Sequence, residues 1–103
     1  MKKAYLSGKI SGLPYKNVRK KFNKSELILN KLGFKVVNPV KLKFPKPESQ
    51  WIDYMEVCID ALWDCQYIIL MPCWKNSPGA MIEHAIAKNL GLHVLYMTKN
   101  FAT

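Results

Sequence analysis

Four short apolar runs recur along the chain: Ala4-Tyr5-Leu6-Ser7, Phe34-Lys35-Val36-Val37-Asn38, Tyr67-Ile68-Ile69-Leu70-Met71 and His93-Val94-Leu95-Tyr96. Longer amphipathic stretches separate them. Strands that alternate with helices dictate a parallel sheet with right-handed crossovers and helices on both faces. The run Tyr67–Met71 is apolar at every position and is stopped by Pro72, as expected of a central strand covered on both sides. The pattern therefore predicts an α/β fold: a doubly wound, flavodoxin- or Rossmann-like parallel sheet of about four or five strands. The 103 residues fit one domain spanning 1–103, with no repeat, linker or low-complexity segment.

The intervening stretches carry helix punctuation. Pro14 opens a helix that runs to about Leu32 and is closed by Gly33, and Val18, Phe22, Leu29 and Leu32 form its apolar stripe. Residues 39–50, with three prolines, read as a surface loop. Ser49 is placed to cap a helix over Trp51 to Trp63, and Ser77-Pro78-Gly79 begins another that ends near Leu90-Gly91.

Charge is divided unequally. Residues 1–47 hold 13 Lys/Arg against Glu26 alone, a balance of +12, whereas residues 48–103 carry −3. Such asymmetry points to an anionic partner. The cluster Lys16, Arg19, Lys20, Lys21 and Lys24 reads more plainly as a solvated helix face. Its dominance by Lys, a point charge, suits unspecific phosphate attraction and not base reading, so nucleic acid is a possible partner that is not favoured. No apolar run reaches the roughly 20 residues of a membrane span, and Met1-Lys2-Lys3 leads into a strand instead of a signal peptide's apolar region. Cys58, Cys65 and Cys73 are odd in number and form no C-x-x-C pair, which reads as reduced thiols and a cytoplasmic location.

In a doubly wound sheet, ligands bind beyond the carboxyl ends of the strands. That edge comprises Ser7–Leu13, Asn38–Val40 and Pro72–Ala80. Ser77 suits the N-cap, Pro78 the first helical position, and Gly79 admits a ligand close to the free N–H groups of a helix start. Glu83, in the second turn, shares a face with Ile86, Ala87 and Leu90. A carboxylate there is costly unless hydrogen-bonded or functional, although a surface Glu near a positive dipole end is the plainer reading. The loop Ser7-Gly8-Lys9-Ile10-Ser11-Gly12 is small, polar and basic, suited to a phosphate but matching no dinucleotide or P-loop fingerprint, so no cofactor is expected. His84 and His93 lack metal-ligand spacing, and no metal is assigned. Cys58 and Cys65 should face the core. Trp74 is either a packing anchor or a platform for a ligand base.

Taken together, Tyr5-Leu6-Ser7-Gly8-Lys9-Ile10-Ser11-Gly12-Leu13-Pro14, Val37-Asn38-Pro39, Trp51-Ile52-Asp53-Tyr54-Met55, Met71-Pro72-Cys73-Trp74 and Ser77-Pro78-Gly79-Ala80-Met81-Ile82-Glu83 resemble the DUF4406 family, within the nucleoside 2-deoxyribosyltransferase-like superfamily. The resemblance implies a Glu, matched by Glu83, that attacks the anomeric carbon of a deoxyribose. It implies a Ser six residues earlier, matched by Ser77, that contacts a 5′-phosphate, and a first-strand motif that brings Tyr5, Ser7 and Gly8 to the sugar. Lys9, Asn38, Trp74 and Gly79 complete the expected substrate-binding set. The family pattern has Asp where this chain has Cys58, and Cys-Asp where it has Cys65-Gln66. Asp60 and Asp64 lie two residues out of register, about 200° around a helix.

The expected ligand is thus a nucleoside or nucleotide. The function is N-glycoside cleavage or deoxyribosyl transfer with Glu83 as nucleophile, or non-catalytic binding of a nucleotide or nucleotide-derived signal in the same pocket. The resemblance also implies a homodimer or larger homo-oligomer, for which the Trp-rich segment 51–74 could supply an interface.

Overall fold

The computed structural model describes residues 2–10, 12–42 and 50–98. The elements run β1 (Lys2–Ser7), α1 (Tyr15–Lys31), β2 (Phe34–Val37), α2 (Trp51–Trp63), β3 (Tyr67–Leu70), α3 (Pro78–Leu90) and β4 (His93–Tyr96), with short 3-10 turns at Pro39–Lys41 and Trp74–Asn76. The four strands form one parallel sheet in the order β2-β1-β3-β4. The chain moves outward from β1 to β2 and then crosses to β3 on the other side, so the switch point lies between the carboxyl ends of β1 and β3. Tyr5 is in register with Ile68 and Ser7 with Leu70.

Alternation along the strands builds two cores. Ala4, Leu6, Ile69 and Met71 point to one face and meet Val18, Phe22 and Leu29 of α1. Tyr5, Ile68 and Leu70 point to the other and meet Cys58 and Leu62 of α2 and Ala87 of α3. Burying a side chain such as Phe22 or Leu29 contributes about 1.5–3 kcal/mol.

Several local expectations are corrected. The buried stripe of α1 is Val18, Phe22, Ser25 and Leu29. Leu32 is exposed, because the helix ends at Lys31 and Gly33 then turns the chain with a φ of 96°. The expected loop after β2 does not begin in solvent: Asn38 accepts from the Val40 N–H at 3.1 Å and starts the Pro39–Lys41 turn, which half-buries Val40 and Leu42. Gln50 occupies the N-cap of α2, its backbone N–H donating to the Asp53 carboxylate at 2.9 Å. Ser49, expected there, and Ser11 of the first loop lie outside the described residues. Cys58 and Cys65 are buried as expected, and all three cysteines are free thiols. No helix among the described residues is long and apolar enough to cross a membrane.

Candidate active site

Tyr5 and Ser7 are two residues apart on β1, so both side chains emerge on the same sheet face. α3 supplies their partner. Its start is fixed by Ser77, whose side chain accepts from the Ala80 N–H at 3.2 Å, with Pro78 in the first turn. One turn later the helix lays Ala80, Glu83 and Ala87 against the sheet. Ile86 is only half-buried and Leu90 is exposed, so the inward face is narrower than the apolar spacing suggested. Tyr5 donates its hydroxyl to Glu83 Oε2 at 2.7 Å, and Ser7 donates to Oε1 at 2.8 Å. Each carboxylate oxygen thus has its own donor, and Glu83 is only 5% exposed. Among the described residues no buried side-chain polar atom lacks a partner.

The electrostatics follow from burial without a neighbouring cation. Burial raises the Glu83 pKa above the usual carboxylate range, and the hydroxyls of Tyr5 and Ser7 only partly oppose it. Tyr5 is driven well above its ordinary value by burial, by the Glu83 charge and by Cys58, so it stays a neutral donor. Burial pushes the Cys58 thiol up to about 11, against the neighbouring Tyr5 hydroxyl and assisted by the Glu83 charge. The site is one ionisable carboxylate held by two neutral hydroxyls.

This clamp forms part of the wall of a pocket of about 430 Å³ at the switch point. Of the residues expected from sequence, Tyr5, Gly8, Ser77, Gly79 and Glu83 line it. Gly8 has no room for a side chain, since a Cβ would come within 2.9 Å of Met71 Sδ. Ser7 is fully buried behind the wall and reaches the pocket through Glu83. Lys9 is half-buried and outside the lining.

Asn38 and Trp74 are directed elsewhere. Asn38 Nδ2 donates to Asn23 Oδ1 at 3.0 Å and Glu26 Oε1 at 2.9 Å, which ties the end of β2 to α1. The Trp74 ring packs on His84 at 4.4 Å and on Tyr96 at 5.9 Å, beside α3 and β4, leaving it a packing anchor. Among the described residues, no group of three His, Cys, Asp or Glu is placed to hold a metal ion.

The remaining lining was missed. Trp51, Tyr54, Met55 and Cys58 of α2 contribute, with Tyr15 of α1, Ile10, Pro39, Val40, Leu42 and Ala80. A signal for the first four was available: their offsets of 0, 3, 4 and 7 mark one helix face. Cys58 sits in this wall. Glu83 is the one carboxylate among the described lining residues.

No curated protein matches the sequence. The fold is similar to that of a solved Clostridium botulinum CMP N-glycosidase, BcmB. The TM-score is 0.60 at 20% sequence identity, over 96% of this chain and 73% of that one. At that identity the likeness establishes the shared α/β architecture. Residues 2–96, nearly the whole chain, match the Domain of unknown function DUF4406, and the chain belongs to that family.

Proposed function

We propose that the protein cleaves the N-glycosidic bond of a deoxynucleoside or deoxynucleotide, or transfers its deoxyribosyl group, with Glu83 acting at the anomeric carbon. The observation that carries this reading is the clamp in which Tyr5 and Ser7 hold a buried carboxylate at the pocket wall. The fold shared with an enzyme described as a CMP N-glycosidase, and the superfamily resemblance of the sequence, support it.

The chemistry is that of a retaining glycosidase. As the C1′–N bond breaks, its electron pair leaves with the base, and C1′ takes on oxocarbenium character. The Glu83 carboxylate stabilises that charge and closes on C1′ to form a glycosyl ester. Water then attacks C1′, releasing the free sugar and regenerating Glu83; attack by a second base would give transfer instead. Tyr5 and Ser7 fix the carboxylate plane before substrate arrives, which reduces reorganisation during reaction. Ser77 and the free Gly79 N–H at the start of α3 suit a 5′-phosphate. Apolar and aromatic side chains of α2 and the Pro39–Lys41 turn suit the base.

The leaving base must acquire a proton, and no second carboxylate lines the pocket among the described residues. Water is the proton source in this reading. That same observation favours a second reading, in which the pocket binds a nucleotide without cleaving it and Glu83 accepts from a sugar hydroxyl. The exposed Trp51, Ile52 and Trp63 of α2 fit the homo-oligomer that the resemblance implies.

The deciding experiment is chromatographic detection of free base from each deoxynucleoside and each 5′-monophosphate, with and without an acceptor base, for the native protein and Glu83→Gln. Release that disappears in Glu83→Gln supports the enzyme. Saturable nucleotide binding with no release from any substrate would leave the binder. A salt-sensitive association with nucleic acid that ignores Glu83→Ala would point away from the pocket altogether.

A further inference from the structure

At Tyr15 and Val40 the main pocket adjoins a second cleft of about 320 Å³, whose other walls are Arg19, Asn23 and Lys41. Its chemistry is opposite to that of the main pocket. Tyr15, Arg19 and Asn23 stand at i, i+4 and i+8 on α1, successive turns of one face. Arg19 has no ion-pair partner among the described residues. Lys41 Nζ lies 2.9 Å from Glu26 Oε1, which anchors the ammonium while leaving further N–H donors. Asn23 Oδ1 is occupied by Asn38 Nδ2 at 3.0 Å, so the free end of the Asn23 amide is its NH2. Residues carrying guanidinium, ammonium and amide N–H groups therefore border one space, with one positive charge left without an ion-pair partner among the described residues.

We propose that this cleft is an anion subsite continuous with the main pocket, and that the ligand is a nucleotide bearing a second phosphate remote from its 5′ end. A nucleoside 3′,5′-bisphosphate or a dinucleotide supplies that chemistry. The proposal rests on the nucleotide reading above. Remoteness follows from topology: Ser77 caps α3 and Gly79 lies in its first turn, associated with β3 and β4, whereas the cleft is built from α1 and the turn after β2, across β1. A single 5′-phosphate placed at Ser77 leaves Arg19 unused. The planar guanidinium fork suits a phosphate, and the excess of positive charge in residues 1–47 favours a polyanion over a neutral nucleoside. Asn38 then acts as a positioning residue, holding Asn23 and Glu26 in their cleft geometry.

Calorimetry would compare 5′-monophosphates, 3′,5′-bisphosphates and 5′-phosphorylated dinucleotides of all four bases, in the native protein, Arg19→Gln and Lys16→Gln. Lys16 is an exposed residue of α1 outside both cavities and controls for diffuse charge. The second phosphate is expected to tighten binding about tenfold. Arg19→Gln should abolish most of that ratio and Lys16→Gln should leave it intact. The tighter of the bisphosphate and the dinucleotide identifies the source of the phosphate. Inorganic phosphate, added during 15N NMR, should shift the Arg19 Nε–H and the Asn23 side-chain NH2. Monophosphate binding with no gain from a second phosphate, or an equal loss of the ratio in both variants, overturns the subsite and leaves the main reading standing. Failure of every nucleotide to bind, with phosphate still shifting Arg19 and Asn23, overturns the nucleotide reading and keeps an anion site.

Discussion

The two faces of the sheet are built from alternate residues of the same strands, yet they carry different chemistry. On the α1 face Ala4, Leu6, Ile69 and Met71 meet Val18, Phe22 and Leu29, an apolar contact, with Ser25 the polar member of the buried helix stripe. On the α2/α3 face Tyr5 and Ser7 take the corresponding places on β1, and a carboxylate comes down between the helices to meet them. The first face buries no ionisable side chain among the described residues. The second holds an ionisable group in a place that disfavours its charge, compensated by two hydroxyl donors. Burial leaves that carboxylate poised to gain from positive charge developing in the pocket, and the apolar face buries no comparable group among the described residues.

The contrast can be broken most severely from the polar side. Glu83→Ala should reduce base release by about a thousandfold or more while the protein stays folded, measured by chromatography beside circular dichroism. From the apolar side, Phe22→Ala should cost about 3–5 kcal/mol in denaturant unfolding, with no change in ligand specificity of the folded fraction. Ser7→Ala removes one donor from Glu83 and should cost about 1–3 kcal/mol of stability near neutral pH. It should also move the acid limb of the pH–rate profile upward, because the ionised carboxylate loses a hydrogen bond.

A subtler test is the pH dependence of Glu83→Gln. The folded-state pKa of Glu83 lies above its unfolded value, so its favourable contribution is complete below the unfolded pKa and is lost as pH rises through the folded one. The stability of Glu83→Gln relative to the native protein should therefore improve from about pH 4.5 upward and level off above the folded pKa. A flat difference across that range would show that burial does not penalise the charge. Smallest is the cysteine contrast: Cys58, buried and with its thiol at about 11, should alkylate more slowly at pH 8 than half-buried Cys73, read by mass spectrometry.

Much of this architecture is legible in the chain because apolar periodicity and helix punctuation are local signals. The run Tyr67–Met71, the Ser77-Pro78 start and the Gly33 stop each act within a few residues, and the strands and helices fall close to where those signals put them. Glu83 stood out for the same reason, as a carboxylate on an otherwise inward helix face. Asn38 and Trp74 show the limit. Both lie at the carboxyl edge of the sheet, but side-chain direction beyond a strand end is set by tertiary partners, here Asn23 and Glu26 for one and His84 and Tyr96 for the other. The α2 wall was hidden differently: Trp51, Tyr54, Met55 and Cys58 advertise one helix face, but apolar spacing does not distinguish a face packed on a core from one that borders a cavity.

Tyr5 and Glu83 are 78 positions apart in the chain and Ser7 and Glu83 are 76 apart. Closing so long a loop carries an entropic cost that only the intervening strands and helices can offset. The clamp is consequently a property of the assembled sheet and of no local segment. A fragment without β1 would leave Glu83 without both donors, and one without α3 would leave Tyr5 and Ser7 to water. Any signal arising from the clamp, whether turnover or a displaced titration, therefore also counts the fraction of chains folded from one side of the sheet to the other.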